Sequence, residues 1–418
     1  MPLKVVELPL GTIKRTVACF LQIIYAVMLL ISYLGGEKDV DFNLTRDQKM
    51  IRDVVRDFAQ QEIVPRAAEI DKTGEFPLDI MKKLAEMDLM GLPFPEEYGG
   101  AGADYISYCL ALEEITRACG STGLTYEAHI SLGCMPIYLF GTEEQKKKYL
   151  TMLCRGESIG AFGLTEPEAG SDAGGTKTTA VLDGDEWVIN GNKCFITNAS
   201  YAKFVTITAV TDKSKGKRGI SAIIVPTDAP GFTIRASYEK LGLHGSNTTE
   251  LFFDNVRVPK ENLVGKPGEG FKQFLKVLDG GRIAIGAMGV GIAQACLDAS
   301  LKYAQERVQF GQSISKFQAI QFKLADMAVN IELARLAYLK AAWLRDNDQP
   351  YTKEAAIAKV FGSEIATKAA LEAIQIHGGY GYMKEFPVER YLRDAKLLEI
   401  GEGTSEVQRL VIARCLGC

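Results

Sequence analysis

Residues 181–197 read VLDGDEWVINGNKCFIT. Asp183-Gly184-Asp185 and Asn190-Gly191 are hairpin signals, because tight two-residue turns need positive φ. The residues around them are β-branched or aromatic, as strands prefer. The same texture runs through Ser158–Leu164, Trp187–Ile189, Lys193–Thr197, Phe204–Val210, Ile220–Val225 and Glu250–Val258, each parted from the next by turn residues. Many short strands at close spacing predict an antiparallel sheet or barrel.

On both sides of this block the period changes to that of helices. From Leu44 to about Leu153, Ile51, Val54, Val55 and Phe58 recur at three- and four-residue spacing and make one apolar helical face. Phe76-Pro77 and Pro93-Phe94-Pro95 interrupt the helices. Thr142 to Leu150 reads as a capped helix. Beyond Gly270, Phe271–Leu278, Ile283–Gln305, Lys316–Asp346 and Lys353–Gly378 contain few breakers and imply an antiparallel bundle. Gly286, Gly289 and Gly291 imitate a dinucleotide fingerprint but follow no strand, so they read as close helix packing. The chain is thus an α+β multidomain protein: an N-terminal α-helical domain over 40–157, a middle antiparallel β domain over 158–268 and a C-terminal four-helix bundle over 269–418. A ligand cleft is expected where the β region meets the bundle.

Residues 1–39 differ from the rest. Lys14 and Arg15 precede an apolar run from Val17 to Leu34, about 18 residues and near the lower limit for spanning a bilayer. No A-x-A cleavage site follows. Gly35-Gly36-Glu37-Lys38 is what a purine-rich ribosome-binding site would spell if translated, and Val40 would then be a GTG start. The expectation is that residues 1–39 are an apolar extension from a start placed too early; membrane anchoring by residues 17–34 is the alternative.

The formal net charge of -4 supplies no field to gather nucleic acid, and Lys146-Lys147-Lys148 and Lys213–Arg218 read as solvated surface. Nine scattered cysteines are not a disulfide framework and suit a reducing, cytoplasmic setting. Cys415 and Cys418 form a C-x-x-C without the second pair that zinc needs. With three histidines and no H-E-x-x-H, no metal site is expected.

Phe162-Gly163-Leu164-Thr165-Glu166-Pro167-Glu168-Ala169-Gly170-Ser171-Asp172 follows the first strand as a loop whose backbone amides can bind a ring edge or a phosphate. It closely resembles the signature of the acyl-CoA dehydrogenase family. The likeness runs from about Asp41 to the C-terminus and includes Lys193–Asn198, Arg307–Gly311, Gln375–Gly381 and Glu402–Glu406, in that order.

The resemblance implies the same α, β, four-helix arrangement, with FAD between the β domain and the bundle. It implies that Phe162, Leu164, Thr165, Gly170 and Ser171, with Phe195, Ile196 and Thr197, contact the isoalloxazine side. Arg307, Phe310, Gln318, Gln375, Ile376, His377, Gly378 and Gly379 would serve the pyrophosphate and adenosine, partly from a neighbouring subunit. A guanidinium fork suits pyrophosphate. Thr404, Ser405 and Glu406 complete the implied cofactor set. Ser171, Asp279, Gly280, Gly281, Arg282 and Gly403 match substrate positions.

The resemblance makes Glu402 the catalytic base. It stands between two glycines, which let backbone and ligand approach closely. Burial in an apolar cleft would raise its pKa toward a useful base. Its N–H and a flavin ribityl hydroxyl would polarise the thioester carbonyl. Removal of the α-proton, with hydride loss from the β-carbon, gives a trans-2-enoyl-CoA. Some branched- and long-chain members carry the base just before the Arg of the segment here reading Asp279-Gly280-Gly281-Arg282; Gly281 stands there instead. Two features depart from many relatives: Gly401 replaces a Tyr before the base, and His244 stands where Arg is common.

The expected enzyme is a short-chain or short-branched acyl-CoA dehydrogenase of fatty acid β-oxidation, handing electrons to an electron-transfer flavoprotein as a homotetramer. The alternatives are an acyl-CoA oxidase reoxidised by oxygen and a DNA-associated homologue; the acidic charge and short tail speak against the second.

Overall fold

The computed structural model describes residues 43–418. The expectations for residues 1–39 and for the Val17–Leu34 run lie outside these residues. Asp47–Cys418 form one unit.

The β region has eight strands: β1 Phe162–Gly163, β2 Thr179–Asp183, β3 Glu186–Thr197, β4 Phe204–Val210, β5 Ile220–Pro226, β6 Phe232–Ile234, β7 Thr248–Pro259 and β8 Leu263–Val264. They form one sheet in the order β6-β7-β3-β2-β4-β5-β8, with β1 beside β4. Neighbours are antiparallel except β1–β4 and β2–β4, which are parallel. The Asp183-Gly184-Asp185 turn is present: Asp183 pairs with Glu186, and Gly184 takes φ +64°.

Asn190-Gly191 is not a turn. β3 runs straight through it, and its register against β7 shifts between Ile189 and Gly191. The glycine takes φ +140° and leaves no room for a side chain, since a Cβ would come 2.6 Å from Thr178 Oγ1. β3 is hydrogen-bonded on both edges, so its ladders outweigh the local turn preference and the extra residue becomes a bulge.

β4 and β5 are buried on both faces. Val205, Ile207, Ile223 and Val225 fill the β core, whereas Phe204, Ala222 and Ile224 join the helical core. This double burial presses the sheet onto the helices and creates the boundary at which a cleft was expected.

The helices that matter below are α1 Arg46–Phe58, α2 Tyr105–Ala118, α3 Gly120–Glu127, α4 Gly270–Glu306, α5 Gln318–Asp346, α6 Thr352–His377, α7 Val388–Leu398 and α8 Ser405–Cys415. Val55 of α1 is buried, and Ile51 and Phe58 pack on the core, but Val54 is half exposed. The helix starting after Thr142 has its capping box with Gln145.

α4 corrects the two-segment reading: one helix of 37 residues runs through Asp279-Gly280-Gly281-Arg282. Each glycine costs a helix roughly 1 kcal/mol relative to alanine. Close packing offsets it. A Cβ on Gly286 would come 2.9 Å from Ala358 O, and one on Gly289 2.3 Å from Gly362 O, so α4 and α6 meet backbone to backbone. α4 is apolar and long enough to cross a membrane, yet 78% of its apolar window is buried inside the protein, as a core helix requires.

Candidate active site

Glu402 lies in the loop between α7 and α8, with φ +54°, followed by Gly403 at φ +94°. A non-glycine residue held there carries strain of about 1–3 kcal/mol. The loop is tied down on both sides. Gly401 N–H donates to Leu397 O at 2.8 Å and Ser405 N–H to Glu399 O at 2.9 Å. Thr404 caps α8, its hydroxyl accepting from Val407 N–H at 3.3 Å. Lys359 Nζ donates to Gly403 O at 2.7 Å. Gln408 Nε2 donates to Gly403 O at 2.8 Å and Glu402 O at 3.2 Å.

The Glu402 side chain turns inward to α4. A Cβ built on Gly281 would stand 2.0 Å from Oε2 and 2.8 Å from Oε1. Both carboxylate oxygens are buried without a hydrogen-bond partner. Nor does the Glu402 N–H find an acceptor among the described residues.

Burial raises the Glu402 pKa; Glu127, Arg282 and Lys359 pull it partly back. Glu127 is fully buried at the end of α3, where Ser131 on the following turn donates to it. Burial, then the charge of Glu402, hold the Glu127 carboxyl well above the usual range. Both cations stand on the Glu402 side, so of the two acids Glu402 is the one that ionises and Glu127 the one that stays protonated.

Arg282 is buried and pairs with Asp279 at 2.7 Å, and Asp279 accepts from Thr352 Oγ1 at 2.8 Å. Arg282 Nε and Ser405 Oγ are buried without partners. Gly281, Arg282 and Gly403 therefore lie around Glu402, whereas Gly280 faces Arg345.

The loop after β1 is held from beneath by a buried ion pair. Lys193 Nζ lies 2.7 Å from Glu166 Oε1 and also donates to Leu164 O, Thr176 Oγ1 and Thr208 Oγ1. Burial alone would raise the Glu166 carboxyl; the Lys193 charge and the bonds from Lys193, the Lys177 N–H and Thr178 bring it down to about 2. Burial lowers the lysine to about 8 despite the carboxylate. The two shifts point opposite ways for stability. The carboxylate is strongly solvated by its donors, while the ammonium is not fully repaid for leaving water.

Above this pair, Gly170 and Ser171 are exposed, and a Cβ on Gly170 would meet nothing within 4 Å. Phe162 is buried; Leu164 and Thr165 are half-buried. Phe195 takes φ +58° and turns its ring outward, 65% exposed. Thr197 is half-buried, but the Ile196 side chain is in the β core, so only its backbone can face the cleft.

The remaining implied residues lie elsewhere. Arg307, Gln309, Ile376, His377, Gly378 and Gly379 line a cleft of about 500 Å³ beyond the end of α4. Arg307 forms no ion pair among the described residues; its guanidinium lies 5.6 Å from the centre of the Tyr380 ring. His377 is buried, its Nδ1–H donating to Ala373 O at 2.8 Å and its ring stacked on Tyr303 at 4.3 Å. Gly378 and Gly379 face open space. Gln318, Gln375 and Glu406 are exposed, and Phe310 is 94% exposed at φ +52°.

Of the two departures, a Cβ on Gly401 would meet only ordinary contacts, 3.6 Å from Leu397 O, so no steric demand explains the missing Tyr. His244 is committed inward, to Asp71 O at 2.8 Å and Lys240 O at 2.9 Å. Glu127, Lys359 and Gln408 escaped the sequence reading. A lysine on the buried stripe of a helix is the signal that could have found Lys359.

The chain matches the acyl-CoA dehydrogenase N-terminal domain over residues 45–157, the middle domain over 161–256 and the C-terminal domain over 268–417. It is 65% identical over 378 residues to a probable acyl-CoA dehydrogenase of Bacillus subtilis, YngJ, covering 90% of this chain and 100% of that protein. It is 51% identical over 374 residues to the short-chain specific acyl-CoA dehydrogenase of Clostridium acetobutylicum, covering 90% and 99%. Butyryl-CoA dehydrogenase from Megasphaera elsdenii superposes with a TM-score of 0.89 at 44% identity, covering 91% of this chain and 100% of that one. A structure described with the electron transferring flavoprotein of Acidaminococcus fermentans superposes at 0.89 with 50% identity, covering 90% and 99%. A Bacillus anthracis acyl-CoA dehydrogenase complexed with FAD superposes at 0.85 with 37% identity, covering 90% and 68%.

The residues here fit FAD. The Phe195 ring turned outward, the open backbone at Gly170 and the buried polar atoms of Arg282 and Ser405 that no protein group answers are features that a flat, polar-edged ring system can use. Identity of this extent across all three domains, on the same fold, has one reading: the chain belongs to the acyl-CoA dehydrogenase family, FAD-dependent oxidoreductases acting on acyl-CoA.

Proposed function

We propose that this enzyme converts short-chain or short-branched acyl-CoA to trans-2-enoyl-CoA, with Glu402 removing the α-proton. The observation that carries the proposal is the Glu402 carboxylate, buried with both oxygens unpartnered. Such a group is costly to keep for stability alone, since an unmet buried carboxylate disfavours the fold. Its raised pKa makes it a competent acceptor near neutral pH.

The α C–H of a thioester is too weakly acidic for a free carboxylate. The unused Glu402 N–H supplies a donor for the thioester oxygen, where negative charge develops. The bare backbone of Gly281 lets the Glu402 carboxylate settle against α4, and Gly280 makes room for Arg345 beside it. Asp279 and Arg282 offer charged groups nearby for the CoA part. The FAD of the family supplies the two-electron acceptor that this oxidation requires.

Phe162–Ser171, Phe195 and Thr197 would hold the flavin ring, with Ile196 contributing backbone only. Arg307, Gln318 and Gln375–Gly379 would hold the pyrophosphate and adenosine of a neighbouring copy's cofactor. Gly281 and the end of α4 are about 38 Å apart at ~1.5 Å per residue, farther than one dinucleotide reaches. This separation supports at least a dimer, and the homotetramer is the assembly we propose. The short-chain preference is supported by the likeness to the short-chain specific enzyme of Clostridium acetobutylicum and the butyryl-CoA dehydrogenase of Megasphaera elsdenii. Electron transfer to an electron-transfer flavoprotein is supported by the likeness to the structure associated with that flavoprotein in Acidaminococcus fermentans.

Purified Glu402→Gln tests the assignment. It should keep FAD and lose flavin bleaching by butyryl-CoA, by roughly 10²–10⁴-fold for a lost general base. Bleaching at the wild-type rate would refute it. Rates across short, long and branched acyl-CoAs test the substrate class; a maximum at long chains would refute the short-chain reading.

A further inference from the structure

Lys359 sits in the middle of α6, on the stripe that buries Ala355, Gly362 and Ala366, and none of it is exposed. A buried ammonium is costly unless it is answered by charge and hydrogen bonds. Among the described residues Lys359 forms no ion pair within 4.0 Å, and its hydrogen-bond partner is the carbonyl of Gly403. Gln408, fully buried on α8, reaches the same carbonyl and that of Glu402.

These donors fall where the backbone is least able to hold itself. Glu402 and Gly403 are consecutive residues at positive φ. No ion pair holds the Glu402 carboxylate, and what faces it is the neutral Glu127 carboxyl, so its direction is set chiefly by the backbone that launches it. Whatever fixes the carbonyls of Glu402 and Gly403 therefore fixes the base.

The charges around it complete the case. Glu127 and Ser131 face Glu402 from α3 and the turn after it, Arg282 from α4 and Lys359 from α6. Arg282 already serves Asp279. Lys359 is faced by Glu402, Glu399 and Glu406, with Arg282 opposing. Glu399 is also paired with Lys396 at 2.7 Å, and Glu406 is exposed. Ionised Glu402 is thus the buried charge that Lys359 can answer.

We propose that Lys359, with Gln408, is the positioning residue of the catalytic loop: it clamps the Glu402–Gly403 carbonyls and supplies the countercharge on which ionisation of Glu402 depends. This rests on the reading of Glu402 as the base.

The test compares Lys359→Met, Lys359→Arg and Gln408→Leu holoenzymes, with Glu402→Gln alongside. FAD content, KM for butyryl-CoA and kcat against pH are measured. Lys359→Met should keep FAD and hold KM within about twofold, while kcat falls roughly tenfold to a hundredfold from misplacement. Its acid limb should move to higher pH by about one pH unit, because a lost cation disfavours the carboxylate. Lys359→Arg should restore the limb to its place. Gln408→Leu should lower kcat with the limb unmoved.

An unmoved acid limb in Lys359→Met overturns the proposal. So does a fall in kcat matched by equal loss of FAD. If Lys359→Met gives no soluble holoenzyme, wild-type kcat in Gln408→Leu overturns it. Continued turnover by Glu402→Gln would sink the base and the clamp together, whereas an inert Glu402→Gln beside an unshifted Lys359→Met sinks the clamp alone.

Discussion

Adding one methyl group at Gly281 should disable the enzyme without unfolding it. The new Cβ would lie 2.0 Å from Glu402 Oε2 and 2.7 Å from its Cδ. To reach ordinary contact at 3.4 Å the oxygen must retreat by about 1.4 Å. The obstacle is the far end of a side chain that no ion pair anchors, so the fold can yield at small cost. Alanine also gains roughly 1 kcal/mol over glycine inside α4. Catalysis has no such slack. A misplacement of about 1 Å costs on the order of a hundredfold, or ~2.7 kcal/mol of barrier at ~1.36 kcal/mol per decade. Gly281→Ala should therefore keep FAD and melt within a few degrees of wild type, while kcat for butyryl-CoA falls roughly a hundredfold. Stopped-flow bleaching of the flavin under anaerobic conditions reads the step directly. A wild-type bleaching rate would show that the carboxylate does not work from the position it holds against α4.

Other perturbations test other parts of the site. Glu127→Gln should leave the acid limb of kcat in place, because a carboxyl that is already protonated loses no charge on becoming an amide; a shift to lower pH would show that Glu127 is ionised. The Glu166 carboxyl is held at about 2 against an ordinary 4.5, so its contribution to stability is present above about 4.5 and fades as pH falls toward 2. Glu166→Gln should accordingly melt below wild type at neutral pH, with the gap closing on acidification; a gap that does not change with pH would contradict this. Arg307→Ala should weaken FAD retention, seen as a lower flavin-to-protein ratio after gel filtration, and an unchanged ratio would count against its role at the pyrophosphate.

Much of this architecture could be read from local pattern, and the exceptions have physical causes. The strand texture around residues 158–258 and the helical periods on either side place the sheet between helices. The Gly184 turn was legible because its φ requirement is local. Asn190-Gly191 carries the same local signal, but two neighbouring strands decide its conformation, and they come from distant sequence. Gly280-Gly281 looked like a helix break for a similar reason: what those glycines accommodate, Arg345 and Glu402, is remote along the chain. Gly286 and Gly289 were legible as packing because no strand precedes them. Glu402 was found through its motif, whereas Glu127 and Lys359 belong to no motif. They stand out only by being charged on buried helical faces, and burial of those faces depends on the assembled fold.

The central claim is that Glu402 takes the α-proton, and hydrogen exchange measures that step apart from the oxidation. An acyl-CoA with no hydrogen on its β-carbon cannot be dehydrogenated, but its α-hydrogen can still leave and return. Incubated in D₂O with the wild-type holoenzyme, it should gain deuterium at the α-carbon; with Glu402→Gln holding its full complement of FAD, it should not. Deuterium entering at equal rates with both proteins would contradict the account.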